Sequence, residues 1–91
     1  MLAVRYAKTS PDKLAERQTW LAQHQSYLRS GAVDIVQSGP LSHDDGTPAG
    51  GLLIANVESL DDLRRFSDAD PFVLHGVYHQ IQIMRWNRTI G

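Results

Sequence analysis

The sequence contains no cysteine, which excludes disulfide staples, thiolate metal sites and cysteine nucleophiles together. It has no apolar run approaching the roughly 20 residues that a membrane-spanning helix needs. The opening segment MLAVRYAKTS carries Arg5 within its apolar run and no long hydrophobic stretch follows, so it reads as a strand and not as a secretory signal. Charge of neither sign dominates, since nine Lys and Arg stand against ten Asp and Glu. Apart from Arg64-Arg65 and the tail from Arg85 to Arg88, the arginines are scattered. The broad cationic field of a nucleic-acid binder is therefore missing. No phosphate-cradling glycine loop, metal-ligand cluster or nucleophile motif stands out. These absences set the expectations: a cytoplasmic protein with no cofactor, no metal, and neither nucleic acid nor membrane as a partner.

What is present suits one packed domain over residues 1–91. Forty-two per cent of the residues are hydrophobic and 21% charged, an ordinary balance for a folded chain. A domain this small buries a modest fraction of its surface, which makes self-association a reasonable expectation.

Leu2 to Ala7 is a first strand, with Leu2, Val4 and Tyr6 on one face and Ala3, Arg5 and Ala7 on the other. Ser10 before Pro11 is a helix opening, with the hydroxyl as cap and the proline where its missing N–H costs nothing. The helix runs to about Ser30, aligns Leu14, Leu21 and Leu28, and stops at Gly31. Val33 to Ser38 is a second strand ended by Gly39-Pro40, and Leu41 to Ala49 is a polar loop. Gly50 to Val57 is an apolar third strand. Ser59 caps a second helix with Asp61 and Asp62 in its first turn, running to about Ser67. Asp70-Pro71 opens a short turn or helix before Gly76. Val77 to Trp86 alternates as a long last strand, with Tyr78, Gln80, Gln82, Met84 and Trp86 on one face. The order β-α-β-β-α-β implies an antiparallel sheet with two helices on one face. On this reading the other face carries Arg5, Gln80, Gln82, Met84 and Trp86, a mixed surface that a second copy of the chain would cover.

Several segments together resemble the YCII-related (YciI-like) family. They are His24-Gln25-Ser26-Tyr27-Leu28, Ser38-Gly39-Pro40-Leu41, Asp68-Ala69-Asp70-Pro71-Phe72, Gly76-Val77-Tyr78 and the alternation from Gln80 to Trp86. They occur in family order over nearly the whole chain, although the stretch from His24 to Gly39 is shorter than in some members. The resemblance implies a ferredoxin-like α+β domain, usually a homodimer with two sheets packed as in dimeric α/β barrels. It also implies an active site formed by the first-helix histidine, here His24, and the aspartate of the Asp-Pro motif, here Asp70. At least one branch of the family eliminates chloride from chlorinated aromatic diols.

Each candidate has a plainer alternative. On a helical wheel His24 falls between the Leu14/Leu21/Leu28 line and the Trp20/Tyr27 line, where it either lines a pocket or is a core histidine satisfied by a backbone carbonyl. Asp70 either orients His24 as half of an acid–base pair or caps the turn after it; a carboxylate has enough acceptor sites for both. Arg17, seven residues before His24, either holds an anionic substrate group or snorkels beside Leu21. Ser38 borders the pocket or closes a tight turn. Tyr78, Met84 and Trp86 line an aromatic pocket or anchor a dimer interface. His43, Asp44 and Asp45 share a flexible loop and read as solvated, while His75 and His79 are separated by a helix-breaking glycine.

Two function classes follow. One is a cofactor-free lyase, isomerase or dehydrochlorinase-type enzyme acting on a small, aromatic or polar molecule, with His24 and Asp70 as catalytic pair and Arg17, Ser38 and Tyr78 binding substrate. The other is a dimeric ligand-binding or accessory module without turnover. A monooxygenase of the dimeric α/β-barrel type stands third, by analogy of architecture alone.

Overall fold

The computed structural model describes residues 1–91. Strand β1 (Leu2–Thr9) leads through a 3₁₀ turn (Pro11–Lys13) into helix α1 (Leu14–Leu28). Strands β2 (Asp34–Ser42) and β3 (Pro48–Asn56) form a hairpin. Helices α2 (Leu60–Asp68) and α3 (Pro71–Leu74) then precede strand β4 (Tyr78–Arg85). The four strands make one sheet in the order β2-β3-β1-β4, antiparallel throughout. The helices cover one face.

The helix ends follow local chemistry with one exception. Ser59 caps α2 by accepting from the Asp62 N–H, and Gly31 takes a left-handed φ of 82° just after α1, where a side chain would be strained. Ser10 does not act as the expected cap. Its hydroxyl shares a hydrogen bond with His79 Nδ1 at 3.0 Å instead, and Pro11 alone sets the helical φ. Strand β2 also continues through Gly39-Pro40 to Ser42, beyond the expected stop. It is an edge strand, so a proline without an N–H is tolerated there. The connecting loop shrinks to 43–47, where the Asp45 carboxylate accepts from the Thr47 N–H and hydroxyl. His43, Asp44 and Asp45 are exposed there.

Two strand faces differ from the sequence reading. In β1 it is Ala3, Arg5, Ala7 and Thr9 that are buried beneath the helices. Leu2, Val4 and Tyr6 lie on the open face beside Gln82 and Met84, as the pairs Tyr6–Gln82 and Val4–Met84 require. Arg5 is 2% exposed and does not belong to the open face. Small residues at Ala3 and Ala7 let the helices approach closely, so the buried face of this strand is the less bulky one. In β4 the alternation slips. Tyr6 pairs with Gln82 but Lys8 with His79, one residue more on β4 than on β1, and Gln80 takes a positive φ of 51°. This β-bulge reverses the parity. Tyr78 therefore turns under the helices with Ile81 and Ile83, packing with Phe72 and Ala7. Trp86 lies just past the strand, its N–H on the Leu2 carbonyl.

The core splits into two apolar groups. Leu53, Ala55, Leu63 and Phe66 centre one, joined by Ala3 from β1; Phe72, Val77 and Tyr78 centre the other, joined by Ala7. Arg5 sits between them on β1. Gly50 is required where β3 crosses β1, because a Cβ there would overlap the Ala7 carbonyl oxygen. Gly39 faces open space. Gly50→Ala should therefore cost about 1–3 kcal/mol by overpacking, while Gly39→Ala should stay within about 0.5 kcal/mol. Urea unfolding of the two variants, compared at unchanged m-value, checks the contrast.

Candidate functional site

His24 is the single buried residue of α1, 6% exposed. The remainder of the helix is exposed or half-buried, which places the imidazole at the one point where α1 meets both α3 and the sheet. Its ring stacks on Phe72 at 3.9 Å between centroids and 1° between planes, and meets the edge of Tyr78 at 5.7 Å. Two aromatic neighbours leave the ring little freedom.

Asp70 fixes it further. The sequence Asp-Pro holds Asp70 in an extended conformation (φ -64°, ψ 128°) at the cap of α3, as a residue before proline prefers. Its Oδ1 accepts from the Phe72 N–H at 2.9 Å and contacts His24 Nδ1 at 2.7 Å. Its Oδ2 lies 2.9 Å from Arg5 Nη2. Capping and orienting thus coexist on one carboxylate. Arg5 Nη1 also donates to Ser67 Oγ at 3.3 Å, while its Nε is buried with no partner. Burial of Asp70 disfavours its charge, but the His24 hydrogen bond, the Arg5 charge and the Phe72 N–H together hold its carboxyl below the usual carboxylate range. An ionised Asp70 accepts only, so His24 Nδ1 carries the proton and Nε2 is the nitrogen left for a ligand.

His24 opens on a cavity of about 750 Å³ between α1, α3 and the β2–β3 end of the sheet, within the usual range for small-molecule sites. Arg17, Ser38 and Tyr78 line it with His24, as does Arg5. Leu21, Leu28, Ile35 and Leu53 supply apolar wall. Asp70 is fully buried and does not line the cavity. It stands behind His24: of the candidate pair, His24 faces the cavity and Asp70 backs it. The reason is the cap, which turns the carboxylate inward to the α3 backbone. Arg17 has no carboxylate within 4 Å and its guanidinium carbon lies 5.9 Å from the Phe72 ring centre. Met84 and Trp86 are away from this cavity. His75 stacks on Trp20 at 3.6 Å and His79 bonds Ser10, so those two histidines do not form a pair.

Sequence reasoning missed Arg5, Phe72 and Gly51 as parts of this site. A lone arginine inside an apolar strand was the available signal for Arg5. Phe72 follows directly from the Asp70-Pro71 turn, which places its ring against His24, but ring stacking has no sequence signature.

The Asp70 shift has a defined sign. Because its folded pKa lies below that of the unfolded chain, the stabilisation is full above the unfolded carboxylate range and is lost as pH falls through the folded value. Asp70→Asn should remove about 3–5 kcal/mol at neutral pH by leaving Arg5 without its counter-charge. It should also flatten the acid side of the stability–pH curve, measured by urea unfolding at a series of pH values below 7.

Residues 1–87 match the YCII-related domain family. Protein YciI of Escherichia coli O6:H1 is 32% identical over 97 aligned positions, covering 98% of this chain and 99% of that protein. The structure of a 5-chloro-2-hydroxyhydroquinone dehydrochlorinase, TftG of Burkholderia phenoliruptrix AC1100, in complex with 2,5-dihydroxybenzoquinone, superposes with a TM-score of 0.85. It is 31% identical, with 98% of this chain and 96% of TftG covered. SnoaB, a cofactor-independent oxygenase of Streptomyces nogalater, shares the fold at a TM-score of 0.58 and 14% identity, with 98% and 94% covered. Matched along nearly its whole length by both the family pattern and full-length relatives, this chain belongs to the YCII-related domain family.

Proposed function

We propose that this protein is a cofactor-independent small-molecule enzyme in which His24 is the general acid–base and Asp70 its orienting partner. The observation that carries the reading is the 2.7 Å contact between His24 Nδ1 and the buried Asp70 carboxylate, which leaves Nε2 as the nitrogen free for a ligand in the cavity that His24 lines. An imidazole with one nitrogen fixed and the other free can accept a proton and return it without leaving its position. Arg17, Ser38 and Tyr78 are the polar groups around it and bind the substrate.

The similarity to TftG supports elimination of hydrogen chloride from a chlorinated polyhydroxybenzene as the first reaction to consider. The balance of such a step needs no electron acceptor. Nε2 removes a hydroxyl proton and the electron density moves into the ring. Return of that proton to the chlorine-bearing carbon makes it tetrahedral. A second hydroxyl then gives its proton to the freed Nε2 while chloride departs with the carbon–chlorine electron pair, leaving a quinone. His24 acts as base, then as acid, then again as base. His24→Gln should lower chloride release from 5-chloro-2-hydroxyhydroquinone by about 10²–10⁴-fold, followed with a chloride electrode. Tight binding of the same compound with no chloride release by the wild-type protein would instead favour the accessory, ligand-binding role.

The working unit is a homodimer formed through the open face of the sheet. Leu52 and Met84 are 39% and 49% exposed there, beside half-buried Leu2, Val4 and Tyr6, and no element of this chain covers that face. Apolar area of this kind is normally an interaction surface. Met84→Asp and Leu52→Asp should shift the protein towards monomer in sedimentation velocity at ~10 μM, a concentration at which ordinary dimers persist. A wild-type monomer at that concentration sinks the dimer.

A further inference from the structure

The β-bulge in β4 brings a second polar group to the cavity beside His24. With regular alternation Tyr78 would share the open face with Gln82; the extra residue at Gln80 turns it under the helices. The residue is 8% exposed, and its ring is held edge-on by Phe72 at 5.2 Å and by His24 at 5.7 Å. The phenol oxygen lies over the Cα of Gly51, where any Cβ would overlap it. Gly51 is therefore the gap that lets the hydroxyl reach the cavity. That hydroxyl has no hydrogen-bond partner within the protein and is not sealed from the cavity.

Resting on the acid–base reading of His24, we propose that Tyr78 is a further catalytic residue: its hydroxyl donates to the substrate oxygen on which negative charge grows when His24 takes its proton. A donor held in place before the reaction stabilises developing charge more than a mobile one does. Burial pushes the Tyr78 phenol pKa above its ordinary value by more than the nearby Arg5 charge lowers it, so the phenol keeps the proton it must donate. Arg5 lies 5.5 Å from the ring centre, and its positive charge strengthens the O–H as a donor. The substrate class follows from this arrangement. It is a phenol or enolisable ketone whose oxygen reaches the hydroxyl of Tyr78 while an acidic proton reaches Nε2.

A packing role would be met equally by phenylalanine, which keeps both edge-on contacts. Tyr78→Phe, Gly51→Ala, the double variant and His24→Gln are therefore compared with the wild type. Thermal melts confirm folding, and chloride release from 5-chloro-2-hydroxyhydroquinone gives kcat and KM. Tyr78→Phe should fold normally and lose about 10²–10³-fold in kcat with KM changed by no more than a few-fold. Gly51→Ala, which displaces the hydroxyl without removing it, should fall in the same direction, and the double variant should be no worse than the weaker single. Near-wild-type kcat in Tyr78→Phe, with His24→Gln inactive, overturns the role of Tyr78 and leaves the His24 reading standing. If the wild type releases no chloride, titration with 2,5-dihydroxybenzoquinone decides. At least tenfold weaker binding by Tyr78→Phe upholds the donor, equal binding overturns it, and a wild type that binds nothing overturns both readings.

Discussion

The Asp70 carboxylate is the point on which the core and the cavity both depend. It is fully buried, and an unpaired carboxylate in that position would be untenable. Four groups answer it: the Phe72 N–H, His24 Nδ1, Arg5 Nη2 and, through Arg5, the Ser67 hydroxyl. These come from α3, α1, β1 and α2. One charge therefore ties three helices to the central strand, where the apolar core is divided in two. Such a cluster is a doubtful source of net stability, since a well-packed apolar replacement often does as well or better. Its value lies in geometry, because each partner must occupy one position for the charge to be satisfied.

That constraint explains why a helix with a single buried residue still packs in one register. α1 presents no broad apolar stripe to the sheet; His24 is its only buried side chain, and Trp20, Leu21, Tyr27 and Leu28 are half-buried around it. Aromatic stacking on Phe72 and the hydrogen bond to Asp70 locate the helix where apolar burial alone would specify it weakly. A structural role for His24 is therefore compatible with the acid–base role proposed for it, since the contact that holds the ring engages Nδ1 and leaves Nε2 free of it.

The order of elements was legible because its signals are local. Pro11, Gly31, Ser59, Asp70-Pro71 and Gly76 punctuate the chain through backbone restrictions that act without tertiary context. His24 and Asp70 came from the family pattern, and the wheel position of His24 was compatible with burial. The strand faces were not legible for two physical reasons. In β1 the small residues Ala3 and Ala7 lie under the helices while the bulkier Leu2, Val4 and Tyr6 face outward, so size misleads when both faces of a strand are partly apolar. In β4 a single bulge at Gln80 reverses the parity of all that precedes it, and glutamine at positive φ carries no sequence mark. Gly39-Pro40 misled in the other direction, as a turn signal within a strand whose outer edge has no neighbour, where a missing N–H is tolerated.

The two misplaced faces are linked to the chemistry. Arg5 and Tyr78 were assigned to the open side, and both instead complete the polar wall of the cavity, on adjacent strands and within 5.5 Å of each other. A regular sheet obeying the apolar-inside pattern would have placed a hydrocarbon at each position. The departures therefore fall where an apolar lining would leave the imidazole with nothing polar beside it. Charge follows the same arrangement. The Arg5 and Asp70 charges offset one another behind His24, whereas Arg17 lines the cavity with no carboxylate within 4 Å. With Arg29 and Asp34 also in the wall, basic groups outnumber acidic ones around the cavity. A field of that sign favours an anion over a cation in the same space, which is the preference that the proposed chemistry requires.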